Sequence, residues 1–299
     1  MFVDLLRGSR FSPNLHTKFA CALLPSMGQP LPRIAEFPSN YRIRGADAQR
    51  SAESYLEVPV DYDHPLHDEE LVPLTEYGVA NESYHARCDG GNPPYHQAVP
   101  GSRRVMFLRR SAAARLTVVN ELLRPNHCEV FILDGYRSIE CQHELWNFYY
   151  QQAVKALGPA SEAECHARAE RYAFNPVSFD ENKSSTWPAH TTGGAVDLTL
   201  RDLSSGQLFD MGTRFEEITD ASACDFFERQ LDRGEISASD PRLVNRRLLH
   251  WAMNESGFVN CPIVFWHYDW GNQNHVKNWR AIRSAPPPPA FYGYIKDPG

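Results

Sequence analysis

The stretch His190-Thr-Thr-Gly-Gly-Ala-Val-Asp197 decides the fold, because it follows the pattern H-x-x-G-x-A-x-D and runs directly into an apolar strand. A second segment, Val264-Phe-Trp-His267, ends in another histidine about 70 residues later. Together they supply two imidazoles and one carboxylate, a set that binds a divalent metal and leaves coordination positions open for chemistry. The sequence therefore predicts a metal site made of His190, Asp197 and His267.

The bulk composition excludes several classes of protein. The 299 residues are 42% hydrophobic, which suffices for one large domain with a substantial core. A net charge of -7 without a Lys/Arg cluster argues against nucleic-acid binding, and no apolar run reaches the ~18 residues of a membrane-spanning helix. The seven cysteines form no C-x-x-C pair, so we expect reduced thiols in a cytoplasmic protein.

The chain divides into three parts by composition. Residues 1–68 are rich in Pro, Arg and turn formers, and we predict that they wrap around the core as an extension. Residues 69–283 carry the periodic segments and both ligand segments, so they form the predicted catalytic domain. The tail, residues 284–299, contains four consecutive prolines and is predicted to be extended, either packed on the surface or mobile.

Hydrophobic periodicity predicts an α+β fold, with helices around a small, mainly antiparallel sheet. Helices are predicted over residues 111–123, 139–157, 161–172, 225–232 and 241–254. Strands are predicted over residues 128–133, 195–201, 207–211 and 263–270, the second and third of them forming a hairpin. Residues 174–188 are irregular and are predicted to form a lid over the site.

Further motifs accompany the candidate ligands in a fixed order. They are Asp134-Gly-Tyr-Arg137-Ser, Asp210-Met-Gly-Thr-Arg-Phe215-Glu216, Asn245-Arg-Arg-Leu-Leu249 and Ser256-Gly-Phe258. Together with the two ligand segments, this order resembles the D-Ala-D-Ala dipeptidases, a zinc peptidase family, over roughly residues 70 to 280. The resemblance implies a fold of the hedgehog/DD-peptidase type, a Zn²⁺ ion and a small dipeptide-like substrate.

The resemblance also assigns roles to single residues. Arg137 matches an arginine that stabilises the oxyanion, a task that suits a rigid, permanently charged donor. Glu216 matches an aspartate that binds the free amine of the substrate. Val264 stands where the family has the glutamate that activates zinc-bound water, and Pro188 stands where it has a serine. The match therefore predicts a metal site that lacks the general base of ordinary peptide hydrolysis.

Two more residues lie near the second ligand segment. Asp269 is two residues beyond His267, so it falls on the same face of an ideal strand and within reach of the metal region. It lies on the side of the ligand opposite Val264, which makes it a weak candidate to replace the missing base. Cys261 precedes the strand and is predicted to touch the pocket.

Three functions remain open at this point. The first is a divergent dipeptidase-like metalloenzyme acting on a dipeptide or an amino-acid-derived amide. The second is a repurposed, non-hydrolytic metalloenzyme, for example one using Fe²⁺ for oxidative or rearrangement chemistry, because two histidines and one carboxylate also bind non-haem iron. The H-x₆-D spacing differs from the H-x-D of iron oxygenases and argues against it. The third is a binding protein that retains the metal pocket to recognise an amino-acid-like ligand.

Overall fold

The computed structural model describes residues 36–46, 53–158 and 162–297. Two antiparallel sheets are present in these residues. The smaller pairs β1 (Leu71–Pro73) with β2 (Phe107–Arg109). The larger has the strand order β3-β4-β6-β5, with bounds Cys128–Asp134 for β3, Ala195–Asp202 for β4, Val259–Asn260 for β5 and His267–Asp269 for β6. The mixture of helices with an antiparallel sheet confirms the predicted α+β class.

Six α-helices surround the sheets in the described part of the chain. They are α1 (Arg110–Leu123), α2 (Ile139–Leu157), α3 (Glu162–Ala169), α4 (Phe226–Asp232), α5 (Pro241–Glu255) and α6 (Gln273–Ile282). Short 3-10 turns lie at Tyr55–Glu57, Leu74–Tyr77, Arg124–Asn126, Ser184–Thr186, Ala189–Thr192 and Asp220–Ser222. No described helix combines the length and apolarity needed to cross a membrane.

The helices form where sequence gives them both a start and a buried face. Ser138 caps α2, since its hydroxyl accepts a hydrogen bond from the backbone N–H of Cys141 at 3.1 Å. In α1 the fully buried Ala112, Leu116 and Leu123 recur at helical spacing and pack into the main hydrophobic core. Burial of this face stabilises α1 against the sheet.

The central strand β4 is buried along most of its length, from Ala195 to Leu200. Its register sets the site, because Asp197 is directly opposite His267 on β6 and opposite Asp134 on β3. Three strands therefore bring three ionisable side chains to one row of the sheet.

Two predicted strands differ from the structure. Residues 207–211 contribute one isolated bridge, Arg201 to Leu208, and Leu208 is 49% exposed, so the hairpin lacks the buried face that would extend it. The strand predicted over 263–270 starts later, at His267, because the chain turns first: the Val264 N–H donates to the Cys261 carbonyl at 3.3 Å. The helix predicted over 161–172 ends at Ala169, and residue 161 lies outside the described residues.

Both flanking parts contact the core where they are described. In the N-terminal part Ile43 is 4% exposed and packs in the main core, whereas residues 1–35 and 47–52 lie outside the described residues. In the tail Tyr292 is fully buried, which is deeper than the surface position predicted for it. Its backbone N–H donates to the Gly271 carbonyl at 2.9 Å, and the Ile295 N–H donates to the Thr191 carbonyl at 3.1 Å. The tail thus holds the loop that carries the first candidate ligand.

Candidate metal centre

The first candidate ligand, His190, sits on the 3-10 turn Ala189–Thr192, which leads into β4. Gly193 closes this turn with φ 71°, a left-handed conformation that glycine adopts without strain. At Gly194 an added Cβ would lie 2.4 Å from the Trp270 carbonyl oxygen, so a side chain there would push the turn away from β6. The two glycines therefore let the His190 loop pack against the strand that bears the other histidine.

The three predicted ligands converge in the structure. His190 Nε2 lies 3.2 Å from His267 Nδ1 and 3.4 Å from Asp197 Oδ2. His267 Nδ1 lies 2.8 Å from Asp197 Oδ1. One donor atom from each of the three residues fits within 4.8 Å of the other two. Two imidazole nitrogens and a carboxylate at these separations can share one divalent cation.

The second nitrogen of each imidazole is held by a hydrogen-bond acceptor. His190 Nδ1 donates to the Gly135 carbonyl at 2.8 Å, and His267 Nε2 donates to Asp269 Oδ2 at 3.0 Å. Asp269 is itself fixed, because Asn272 donates to Oδ1 at 2.8 Å. Such contacts set the tautomer and raise the basicity of a metal-binding histidine. The residues present therefore fit a metal ion, with His190 Nε2 and His267 Nδ1 turned toward it.

The charges of the ligands agree with this assignment. Burial raises the pKa of Asp197, but His190 and His267 outweigh it and hold that pKa below its usual range. Burial lowers the pKa of His267, whereas Asp269 and Asp197 together raise it well above its usual value. Asp197 is thus ionised, and a metal ion competes with a proton for His267.

The donors open onto a cavity of about 300 Å³. Its polar wall includes Tyr95, Arg137, Gln142, Tyr149 and Glu216. Its apolar wall includes Leu145, Phe174, Pro188, Ile263, Val264 and Trp266. Phe174 and Pro188 are the two ends of the irregular segment expected to cover the site, so that segment contributes both of its ends to the cavity. Cys261 also lines the cavity, as its position before β6 suggested.

Arg137 reaches the cavity from the turn after β3. Its Nε and Nη2 donate to Asp134 Oδ2 at 3.0 and 2.6 Å, and its Nη1 donates to Gln142 Oε1 at 2.9 Å. The Arg137 side chain is 10% exposed. A guanidinium fixed in this way presents its remaining N–H donors in a constant direction, which suits recognition of an oxygen that gains negative charge.

Glu216 also faces the cavity, and its carboxylate is already hydrogen-bonded. Tyr149 donates to Oε2 at 2.8 Å, and His85 Nε2 donates to Oε1 at 3.3 Å. The Tyr95 hydroxyl donates to the Tyr149 hydroxyl at 3.1 Å and lies 3.2 Å from Glu216 Oε2. These three partners carried no recognisable pattern in the sequence. They lie 67, 121 and 131 residues from Glu216, so only the tertiary fold brings them together.

Val264 occupies the part of the cavity wall where a general base was expected. Its side chain is 8% exposed and belongs to the main hydrophobic core, beside Trp266. Besides the candidate ligand Asp197, the carboxylates that line the cavity in the described residues are Glu170 and Glu216. Glu170 is exposed, and Glu216 accepts hydrogen bonds from Tyr149 and His85. Asp269 accepts a hydrogen bond from His267 Nε2 at 3.0 Å. Its position on the strand therefore serves to orient a candidate metal ligand.

The chain belongs to the D-Ala-D-Ala dipeptidase family of M15 peptidases, whose family model matches residues 94–284. A D-alanyl-D-alanine dipeptidase of Synechocystis sp. is 26% identical over 248 residues, covering 81% of this chain and 96% of the relative. One of Enterococcus faecium is 28% identical over 156 residues, covering 52% and 69%. The solved structure of VanYB in complex with D-Alanine-D-Alanine is 15% identical, with a TM-score of 0.37, and covers 73% of this chain and 87% of that one.

Proposed function

We propose that this chain is a divergent dipeptidase-like metalloenzyme that binds a dipeptide or an amino-acid-derived amide. One divalent metal, Zn²⁺ by preference, would be held by His190, Asp197 and His267. The observation that carries the proposal is the convergence of these three donors, within 4.8 Å of one another, beside a cavity of about 300 Å³. Family membership supports the substrate class, because the relatives are named as dipeptidases.

Arg137 and Glu216 each have a task in this proposal. A zinc ion in such a ligand set lowers the pKa of bound water toward ~7 and polarises a carbonyl group. Arg137, held by Asp134 and Gln142, would bind the carbonyl oxygen of the scissile amide and stabilise the negative charge that develops on it. Glu216 would accept a hydrogen bond from the nitrogen at the amino end of the substrate. Gly135 and Asp269 would keep the two ligand imidazoles in their metal-binding tautomers.

The general base is the missing part. Valine cannot accept a proton, and removal of a positioned base typically costs ~10²–10⁴-fold in rate. We therefore propose that the chain binds its substrate with a normal metal site but hydrolyses an ordinary peptide bond slowly.

One observation favours a second candidate function. The wall beside the candidate ligands is apolar, with Val264 and Pro188, so these two side chains offer a water molecule no hydrogen-bond partner. A drier site suits non-hydrolytic chemistry on an amino-acid-derived substrate, with Fe²⁺ as the alternative metal. The same three metal ligands would serve this chemistry. A protein that merely binds an amino-acid-like ligand would not need the metal, so retention of the ligands argues against that third function.

Elemental analysis of the purified full chain, combined with a dipeptide panel, tests the proposal. We expect one divalent metal per chain, saturable binding of a dipeptide or its amide, and D-Ala-D-Ala turnover far below the ~10 s⁻¹ typical of enzymes. Turnover near that value would contradict the slow-hydrolysis part. Absence of metal would remove the whole proposal. Iron in place of zinc, with dioxygen-dependent product formation, would favour the second function.

A further inference from the structure

The N-terminal part of the chain reaches the candidate metal cavity at Tyr55. This residue begins the 3-10 turn Tyr55–Glu57 and lines the cavity, although the family match begins only at residue 94. We infer that the Tyr55 hydroxyl is a substrate contact, which donates a hydrogen bond to the carboxylate at the end of the substrate remote from Glu216. The inference rests on the proposed function, because it assigns one more residue to the same cavity.

A long hydrogen bond holds the Tyr55 hydroxyl in the cavity wall. The hydroxyl donates to the Trp187 carbonyl at 3.3 Å, whereas hydroxyl donors usually lie about 2.7–2.8 Å from their acceptors. The ring packs in a tilted arrangement against Phe174, with centroids 6.3 Å apart. Since Trp187 directly precedes Pro188, the hydroxyl lies at the edge of the apolar wall. A stronger acceptor can take its proton while the ring stays in place.

The hydroxyl of Tyr55 is a donor at neutral pH. Burial, followed by the charge of Asp269, raises its pKa, so it keeps its proton. Both oxygens of Asp269 already accept hydrogen bonds from other side chains, so Asp269 does not take this proton. A hydrogen bond to an ionised acceptor is about twice as strong as one to a neutral acceptor. A substrate carboxylate is therefore a better partner for Tyr55 than the Trp187 carbonyl.

Glu216 belongs to one end of the row of ionisable side chains on the sheet. The strand order places β3, with Asp134, at one end of this row and β6, with His267, at the other. His85 links Glu216 to the β3 end, because its Nε2 lies 3.3 Å from Glu216 Oε1 and its Nδ1 lies 3.6 Å from Asp134 Oδ2. The amino end of a substrate held by Glu216 is therefore at the β3 end.

The turn that carries Tyr55 is attached to the opposite end of the row. Gln273 begins α6 shortly after β6 ends, and its Nε2 donates to the Val58 and Leu56 carbonyls at 2.6 and 3.3 Å. Tyr55 thus approaches the cavity from the β6 end. A substrate whose amino end lies at Glu216 directs its carboxyl end toward Tyr55.

The turn is also well fixed, which suits a binding role. Val58 closes it by donating its N–H to the Tyr55 carbonyl at 3.1 Å, and the Val58 side chain is buried with Val276 and Ala290. A side chain on a fixed turn loses little freedom when a ligand binds, so more of the new hydrogen bond contributes to affinity.

The test is calorimetric binding of D-Ala-D-Ala and of its C-terminal amide to the zinc-loaded full chain and to Tyr55→Phe at neutral pH. This change removes one oxygen and keeps the ring. We expect D-Ala-D-Ala to bind about tenfold more weakly to the variant. The uncharged amide should lose only about threefold, because its carbonyl accepts a hydrogen bond about half as strong. Metal content should stay the same, since Tyr55 is not a proposed ligand.

Tyr62→Phe is the matched control. Tyr62 belongs to the same N-terminal part and is 55% exposed, so both affinities should equal those of the parent protein. Unchanged binding of D-Ala-D-Ala to folded, metal-loaded Tyr55→Phe would overturn the inference and leave the proposed function standing. Equal losses for the two probes would overturn it as well, because a loosened cavity wall weakens both alike.

Two further outcomes are decisive. If neither probe binds to the parent protein, the proposed function fails and the inference fails with it. Should Tyr55→Phe not fold, Tyr55→Leu is judged by the same ratio of the two losses, which should again be about threefold; a ratio of one would contradict a contact with the carboxylate.

Discussion

Two walls of one cavity differ in what they retain of a hydrolase. The metal wall holds His190, Asp197 and His267 together with the groups that orient them. The Val264 wall, made of Val264, Ile263 and Pro188, has no side chain that can accept a proton. The two differ in backbone setting: Asp197 and His267 face each other across paired strands, whereas Val264 follows a turn that ends before β6 begins. The candidate metal ligands and the expected position of the base thus lie on separate structural units, so one can change while the other persists.

The largest expected effect is on the metal wall. His190→Ala removes one of three donors and leaves Asp197 beside a single imidazole, so stoichiometric metal binding should be lost. Metal content per chain after dialysis is the measurement. His96→Asn, at an exposed position with positive φ, should keep its metal. Unchanged metal in His190→Ala would show that the ion lies elsewhere.

The buried contacts of His85 with Asp134 and Glu216 should also stabilise the fold. The pKa of His85 rises from 6.5 to about 9 on folding. A raised pKa means that its ion pairs contribute fully below about pH 6.5 and are lost as pH rises through about 9, a change of about 3 kcal/mol in the free energy of unfolding. The stability difference between the parent protein and His85→Gln should therefore shrink from pH 6 to pH 9.5 in denaturant titrations. A difference that does not vary with pH would mean that His85 is neutral.

A smaller effect is expected at Asp269, which contacts the candidate ligand His267 and lies outside the proposed ligand set. Asp269→Asn keeps the shape of the side chain but weakens its hold on His267 Nε2, and changes of this kind cost ~10–100-fold in metal affinity. Competition with a chromogenic chelator measures it. Asp63→Asn, at an exposed carboxylate, serves as the control. Full loss of metal in Asp269→Asn would instead make Asp269 a direct ligand.

The smallest effect is expected on the Val264 wall. A large effect there would contradict the view that the two walls change independently. Val264→Glu introduces a carboxylate, yet we expect less than about tenfold gain in dipeptide hydrolysis. Pro188 still lacks a hydrogen-bond donor for the peptide, and a ~1 Å misplacement can cost ~10²-fold. Val264→Gln has the same size without a basic group and is the reference. Clear turnover that appears with Glu and not with Gln would show a peptidase that lacks nothing but its base.

The sequence located the donors of the metal wall because they lie in short local patterns. The H-x₆-D pattern spans one turn and the start of one strand, and His267 begins a second strand. The spacing of these residues along the chain is therefore enough to predict that they meet. Strand alternation puts Asp269 on the same face as His267, but the hydrogen bond between them depends on the orientation of the imidazole ring, which the sequence does not contain. Strand ends were harder, since the turn before His267 depends on a long-range bond from the Phe265 N–H to the Ser222 carbonyl.

The surroundings of Glu216 were beyond sequence reasoning for a different reason. Tyr95 and Tyr149 resemble ordinary core tyrosines in the sequence, and His85 has no neighbour that suggests a charge. The pKa of His85 is raised because two buried carboxylates lie next to its imidazole, and this electrostatic interaction depends on distances in the folded protein. Composition and periodicity contain no information on such pairs.

The attachment of the tail to the ligand loop has a consequence for the order of events during synthesis. The Thr191 carbonyl, next to His190, receives its hydrogen bond from Ile295, and the Gly271 carbonyl receives two from Phe291 and Tyr292. The loop therefore lacks its support while residues 290–295 are still inside the ribosome. We expect the His190 loop to reach its metal-binding form only after residues 290–295 have been synthesised and have packed against it.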